Sequence, residues 1–574
     1  MDILVSWCNV MDLSKEKSLS VIDDFQSTLS AKEKLRIKRS SFSLSPLLLA
    51  ACGGGGGSAD QNTSNAVAFP VNYKPPAPAY SSPSEPDPKY EILKSTYVEP
   101  YWVAALEMDR TDLTIEPILE SSDQTLVVTF PDVVPTYDLM EIRNWEPANE
   151  KMISAARDIF SNLGAVLDVT FVEMGEASGS NVIAISRSYQ PGSSGFSYFP
   201  NPDYEIGMDV FISTNYDAPK FTSSTLTNYD YEVLVHEIGH ALGLKHPFAA
   251  QGGNAVTLSG YEDQTRFTVM SYDDNAATFN GTMRDLDWMA LTKYYGVNPD
   301  YNAGDDTYSF SSGAGTFIID GGGVDTIDAS GVTKDVTVDL RPGAHSFAGS
   351  QNKYITAANQ LTISHGSEIE NVITGAGDDT VIATDAANII TTGSGDDIIF
   401  AGGGLDLVRS GPGSDRVDLS EETQSADVVV LDVPTSDAEL DIIYGFVQGA
   451  FGDALDLSQW GTVVAQLFPL VVAGAAPSAN FGGGILRVVG DALSTSEGLS
   501  SALAEGGELS PLTISSGSRS IIITSASQGT GEDQRVYSAE GLAGGGIEVS
   551  QLALLQGNAL DIDQWHADNF SVIV

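Results

Sequence analysis

Apolar positions along the chain keep two rhythms in succession. From Glu150 to Leu163 the residues Met152, Ile153, Ala156, Ile159 and Phe160 recur at helical spacing, which predicts an amphipathic helix. Short apolar runs at Thr125–Phe130, Leu167–Val172, Asn181–Ile185 and Met208–Ile212 predict strands. A second helix carries the stretch from Glu232 to His240, and a third runs from Arg284 to Tyr295 and closes at Gly296. Residues Gly195 to Pro200 predict an edge strand above a cleft, where an extended peptide would dock by strand addition. Strand, helix, three strands and then helix describe a twisted sheet with two long helices packed on it, an α+β domain over residues 91–300.

From Gly304 the rhythm changes. Asp379, Asp397, Asp406 and Asp415 fall on a nine-residue grid whose missing slot holds Asn388. Each repeat is a glycine-bearing turn, Gly375 and Gly377, Gly393 and Gly395, Gly402 and Gly404, Gly411 and Gly413, followed by a two- or three-residue apolar strand such as Ile398–Phe400. A flexible Gly/Asp linker would not keep apolar residues in phase. Stacked repeats predict a parallel β-roll over residues 301–420, with calcium held between turns by Asp side chains and backbone carbonyls. Residues 421–574 stay acidic and rich in Ala, Gly, Ser and Leu, with β-like runs at Val428–Leu431 and Ile521–Thr524, and read as a β-rich C-terminal region.

Upstream, residues 1–57 read as a leader and 58–90, rich in Ser, Pro, Asn and Ala, as a linker or propeptide. The basic run Lys32–Arg39 precedes an apolar run, Leu44–Ala51, then Cys52 and five glycines. Leu49-Ala50-Ala51-Cys52 resembles a bacterial lipoprotein box, in which the cysteine would carry the lipid anchor; a disordered leader is the alternative. The formal net charge of −49 argues against nucleic acid or an anionic membrane as partner. No lysine follows Lys353, so the downstream carboxylates lack lysine partners and read as solvated surface or cation ligands. Two cysteines, both upstream, give no disulfide framework.

Three of the six histidines, His236, His240 and His246, fall close together. His236 and His240 are four apart and share a helix face, with Glu237 between them, the H-E-x-x-H arrangement of zinc hydrolases. Gly243 supplies the left-handed residue that ends the helix and returns His246 to the same side. Three imidazoles then leave a fourth position to water, and Glu237 is the candidate general base and acid.

Gly243, His246 and Met270 complete the metzincin signature. His-Glu-Ile-Gly-His-Ala-Leu-Gly-Leu-Lys-His-Pro and Val-Met-Ser-Tyr closely resemble the serralysins, secreted bacterial zinc proteases. The resemblance implies Tyr272 as an extra zinc ligand that swings to stabilise the intermediate, and Met270 as the hydrophobic floor. It continues through Leu286-Asp287-Trp288-Met289-Ala290-Leu291 and Asp320–Asp328, covering roughly residues 90 to 420. It also implies Gly304, Asp305, Asp320, Gly322, Asp325 and Glu370 as calcium ligands.

The chain departs from the family where Asn302-Ala303 precedes Gly304-Asp305 in place of Arg-Thr, and in its longer tail. Asp441–Phe446 and Asn569-Phe570-Ser571-Val572 resemble the ends of type I secretion substrates, which implies that apparatus as a partner and conflicts with lipidation at Cys52. The expectation is a secreted, extracellular, calcium-stabilised zinc endopeptidase acting on protein or peptide substrates, or an outer-membrane or cell-surface lipoprotein if Cys52 is used. The alternative is a calcium-dependent surface or adhesive protein whose metzincin module is inactive or cuts only its own carrier.

Overall fold

A computed structural model describes residues 49–52, 100–108, 115–136, 142–273 with short gaps, 279–432, 440–448, 452–457 and shorter stretches from there to Ser571. The linker 58–90 and the basic run 32–39 lie outside the described residues. The chain divides near Tyr301 into two compact units.

The first unit is built on one mixed sheet. Its strands are β1 (Leu49–Cys52), β2 (Thr125–Thr129), β3 (Glu146–Pro147), β4 (Thr170–Met174), β5 (Val182–Ser188), β6 (Gly195–Tyr198) and β7 (Val210–Ser213). The order is β1-β6-β7-β5-β2-β4, with β3 on β5. Strands β7, β5, β2 and β4 run parallel; β6 is antiparallel to β7, and β1 to β6. The helices are α1 (Tyr101–Ala104), α2 (Ile115–Ser121), α3 (Glu150–Val166), α4 (Asn228–Ala241) and α5 (Asp285–Tyr295). Asn149 caps α3 by accepting the Met152 N–H, and its buried stripe runs through Met152, Ala156, Ile159, Phe160 and Leu163. The expected strand at Leu167–Val172 starts later, at Thr170. Helix α3 runs three residues past Leu163, and the Leu167 N–H is spent on the Leu163 carbonyl as its cap. Helix α4 opens on a capping box between Thr227 and Asp230 and packs against β6, β7 and α3.

The second unit contains the roll. Successive nine-residue repeats alternate between two sheets, so hydrogen-bonded neighbours are eighteen apart in the regular part. Thr380–Ile382, Ile398–Phe400 and Arg416–Asp418 stack in parallel in one sheet, and Asn371–Ile373, Ile389–Thr391 and Leu407–Arg409 in the other. The middle residue of each short strand points inward: Val381, Ile399 and Val417 face a core shared with Val372, Ile390 and Val408. Each such side chain contributes roughly 1.5–3 kcal/mol by burial. The ladders continue through Val428–Val430, Asp441–Tyr444 and Ala454–Asp456, and Ile547–Gln556 adds in parallel to Asp441–Tyr444. Among the described residues no helix is long and apolar enough to cross a membrane.

Candidate metal centre and active site

Helix α4 carries His236, Glu237 and His240, all buried, on the face toward β6. At Gly243 the backbone turns left-handed, φ 104°, and the chain doubles back to bring His246 alongside. The Nε2 atoms of His240 and His246 lie 3.1 Å apart, and those of His246 and His236 3.4 Å. His236 Nδ1–H donates to the Val269 carbonyl and His240 Nδ1–H to the Leu244 carbonyl, each at 2.6 Å. These bonds fix the tautomer that leaves Nε2 a bare acceptor, the arrangement by which outer contacts orient metal-bound imidazoles. Burial holds all three imidazoles below their usual pKa, His236 at about 4, so they stay neutral. Lone pairs converging this closely repel unless a cation lies between them, and three neutral imidazoles suit zinc.

The surroundings brace this triad. Val269 is itself held by Asp287 on α5, whose buried carboxylate accepts from the Val269 N–H, the Arg284 N–H and the Thr268 hydroxyl. Burial raises Asp287 to about 6. Met270 lies under α4 against Gly239, where a Cβ would come within 2.8 Å of the sulfur. Tyr272 is not packed away: it is 38 % exposed, and its hydroxyl sits 2.9 Å from His246 Nε2. Gly195 on β6 faces Glu237 so closely that a Cβ there would lie 2.8 Å from the carboxylate. Sequence reasoning passed over the roles of Gly195 and Gly239, because a missing side chain carries no chemical signal. It also missed Lys245, fully buried, whose ammonium donates to the carbonyls of Ala105 (2.7 Å), Val256 (2.9 Å), Ala249 (3.2 Å) and His246 (3.3 Å).

In the second unit Asp306, Asp320 and Asp325 bring carboxylate oxygens within 4.8 Å of one another. Asp306 was not among the expected ligands; Asp305, which was, accepts the Val324 N–H through Oδ1. Glu370 stands beside the cluster and accepts the Asp325 N–H. Asp320 accepts the Gly322 N–H, and the Gly304 carbonyl abuts Gly323, where a Cβ would lie 2.2 Å away.

The repeat aspartates form two ladders. Asp397 accepts from Asp379 N–H and Asp415 from Asp397 N–H, while Asp406 accepts from Asn388 N–H. In Asp325, Asp379, Asp397, Asp406 and Asp415 the second oxygen is buried with no hydrogen-bond partner. Burial raises Asp397 and Asp406 to about 8 and Asp415 to about 7. The glycine turns stack so tightly that a Cβ on Gly393 would meet the Gly375 carbonyl at 1.9 Å, one on Gly411 the Gly393 carbonyl at 1.7 Å, and one on Gly395 or Gly413 the Gly377 or Gly395 carbonyl at 2.0 and 1.9 Å. Gly402 and Gly404 press likewise on the Thr384 and Ala386 carbonyls. Orphaned buried carboxylate oxygens beside backbone carbonyls form an oxygen donor set suited to calcium. Asn388 is informative by contrast: its side-chain NH2 donates to the Glu370 carbonyl, so that slot satisfies itself without an ion.

Fold and site together define a candidate zinc centre of the H-E-x-x-H kind in a mixed-sheet unit, followed by a parallel roll with cation-ready turns. Residues 290–471 match the family model described as peptidase M10 serralysin C terminal. The chain is 32 % identical over 259 residues to a metallopeptidase AprA of Pseudomonas marginalis, covering 39 % of this chain and 52 % of that one. It is 30 % identical to serralysins of Photorhabdus luminescens, over 46 % of this chain and 58 % of that one, and of Proteus mirabilis, over 45 % and 59 %. The matches thus span a little over half the length of these relatives. The chain is similar to serralysin-type metalloproteases.

Proposed function

We propose that the protein is a secreted zinc endopeptidase whose roll is stabilised by calcium. The observation that carries this reading is the buried triad of His236, His240 and His246, whose Nε2 atoms converge on a helix that also carries Glu237. Zinc bound there would lower the pKa of its water to near 7 and polarise the scissile carbonyl. Glu237, buried and close to Gly195, takes the proton from the attacking water and returns it to the leaving amine. The Tyr272 hydroxyl, beside His246, would donate a hydrogen bond to the developing oxyanion, and it is a candidate further zinc ligand. Met270 supplies the apolar floor. Calcium at Asp306, Asp320 and Asp325 and along the Asp379–Asp415 and Asp406 ladders would neutralise carboxylates the fold buries, so the roll would consolidate where calcium is plentiful. The likeness to serralysins supports proteins or peptides as substrates, and the sequences Asp441–Phe446 and Asn569-Phe570-Ser571-Val572 support export by a type I apparatus.

The test is casein cleavage by the calcium-loaded chain with and without a zinc chelator, and by Glu237→Ala. The chelator should abolish cleavage, and Glu237→Ala should keep its zinc while losing roughly 10²–10⁴-fold in rate. Undiminished cleavage by Glu237→Ala would refute the mechanism.

A further inference from the structure

His236 and His240 take their places from a helix, but His246 lies beyond its end, past Gly243, on a loop that runs on to Val256. A ligand carried by a loop is only as fixed as the backbone under it. That backbone is gathered around one buried side chain. The Lys245 ammonium, fully buried, donates to the carbonyls of His246 (3.3 Å), Ala249 (3.2 Å) and Val256 (2.9 Å), at the start, middle and return of the loop. Its shortest bond, 2.7 Å, goes to the Ala105 carbonyl just after α1. An ammonium has three N–H donors for these four acceptors, so at least one N–H is shared. All four partners are main-chain carbonyls, the way a desolvated potassium ion is held rather than the way a lysine meets a carboxylate. The residues after α1 are tied down further: the Lys245 N–H donates to the Leu106 carbonyl at 2.8 Å, and the Asn254 amide to Ala104 at 2.7 Å and Glu107 at 2.9 Å. One residue before Lys245, the Leu244 carbonyl is the acceptor that orients His240. Lys245 therefore stands between the backbone groups that set the second and third imidazoles.

We propose that the Lys245 ammonium serves as a built-in cation, which occupies a cage of backbone carbonyls, closes the His246–Val256 loop onto the residues after α1, and so positions His246 for the metal. The positioning role rests on the reading of the triad as a zinc site; the cage does not. Lys245 acts through His246 and is a positioning residue rather than a catalytic one. A neutral side chain can fill the space, but it leaves four inward carbonyl oxygens without a donor, and the loop then gains by turning them out to water. Contacts that orient a metal-bound imidazole from outside change metal affinity on the order of 10–100-fold.

The test uses the full chain carrying Glu237→Ala, where no cleavage intervenes, and reads zinc affinity by competition with a chelating dye. Lys245→Met fills the cage without a charge and should bind zinc on the order of 10–100-fold more weakly. Lys245→Ala should weaken zinc likewise. Added propylammonium, which supplies the missing carbons and the charge, should restore most of that loss, and 1-propanol should not. If Lys245→Ala does not fold, recovery of folding by propylammonium and not by 1-propanol is the same readout. Met152→Ala, in the buried stripe of α3, controls for lost stability in the same unit and should keep the parent's zinc affinity. Loop closure is read separately, without metal, from exchange of the Leu258 N–H, which donates to the Pro247 carbonyl at 2.8 Å. Relative to amides within α3, Lys245→Met should speed that exchange on the order of tenfold. Unchanged zinc affinity in Lys245→Met, or equal weakening in Met152→Ala, overturns the positioning role. Rescue by 1-propanol as complete as by propylammonium overturns the cation. Unchanged Leu258 exchange in Lys245→Met overturns the cage. If the parent takes up no zinc, the zinc reading has failed and the positioning role falls with it, while Leu258 exchange still decides the cage.

Discussion

Without cations the roll should be an acid-stable structure that loosens toward neutral pH. Asp397 and Asp415 are raised by burial to about 8 and about 7. A carboxyl raised in the folded state keeps its proton where the unfolded chain has lost it. Its contribution is therefore complete below pH 4 and drains away as pH climbs toward 7–8. With about 1.4 kcal/mol per pKa unit, each of the two costs on the order of 4 kcal/mol by pH 7. Together they fall within the roughly 5–15 kcal/mol that holds an ordinary domain. Calcium on the orphaned oxygens would cancel that cost. The assay is amide exchange at Ile398 and Arg416, whose N–H groups donate to the Asp379 and Asp397 carbonyls, in the full chain at pH 5 and pH 8, corrected for intrinsic exchange rates. With a calcium chelator, protection should be strong at pH 5 and weak at pH 8; with calcium it should be strong at both. Asp397→Asn with Asp415→Asn should flatten the chelated profile and blunt the calcium response. Equal protection at pH 5 and pH 8 in the chelated parent would refute the reasoning.

Three further changes probe the other unit and the turns. Gly195→Ala places a methyl 2.8 Å from the Glu237 carboxylate, so casein turnover should fall at least about tenfold with zinc content unchanged, since displacement of about 1 Å costs that much or more. Lys245→Met strips four carbonyls of a buried donor and should destabilise the first unit by about 3 kcal/mol in chemical denaturation followed by tryptophan fluorescence. Gly411→Ala, whose methyl would collide with the Gly393 carbonyl, should weaken calcium affinity in titration calorimetry while leaving the zinc site's content intact.

The three clustered histidines were legible because their chemistry is dense and local. Two imidazoles one helical turn apart, a glycine and a third imidazole fix their own geometry, and Gly243 turns where expected. The nine-residue grid revealed stacked turns but not their alternation between two sheets, since the spacing is the same in either case. Asp306 was hidden by its neighbour: Gly304-Asp305 fitted the motif, and only the fold brings the Asp306 carboxylate beside Asp320 and Asp325. β1 was invisible for a different reason. An apolar run ahead of a cysteine and five glycines carries leader-like composition, whereas its pairing with Gly195–Tyr198 depends on contacts over a hundred residues away.

The aspartate ladders have a polarity. Each rung's N–H is held by a carboxylate from the turn that follows it: Val336 by Asp379, Asp379 by Asp397, Asp397 by Asp415, and Asp415 by Asp441. A turn is therefore finished only when its successor is in place, and the last to lack a successor is the natural seed. The stack works like a zipper whose slider starts at the C-terminal end. Damage near Asp441 should propagate backward through every earlier rung, while damage near Val336 should stay where it falls.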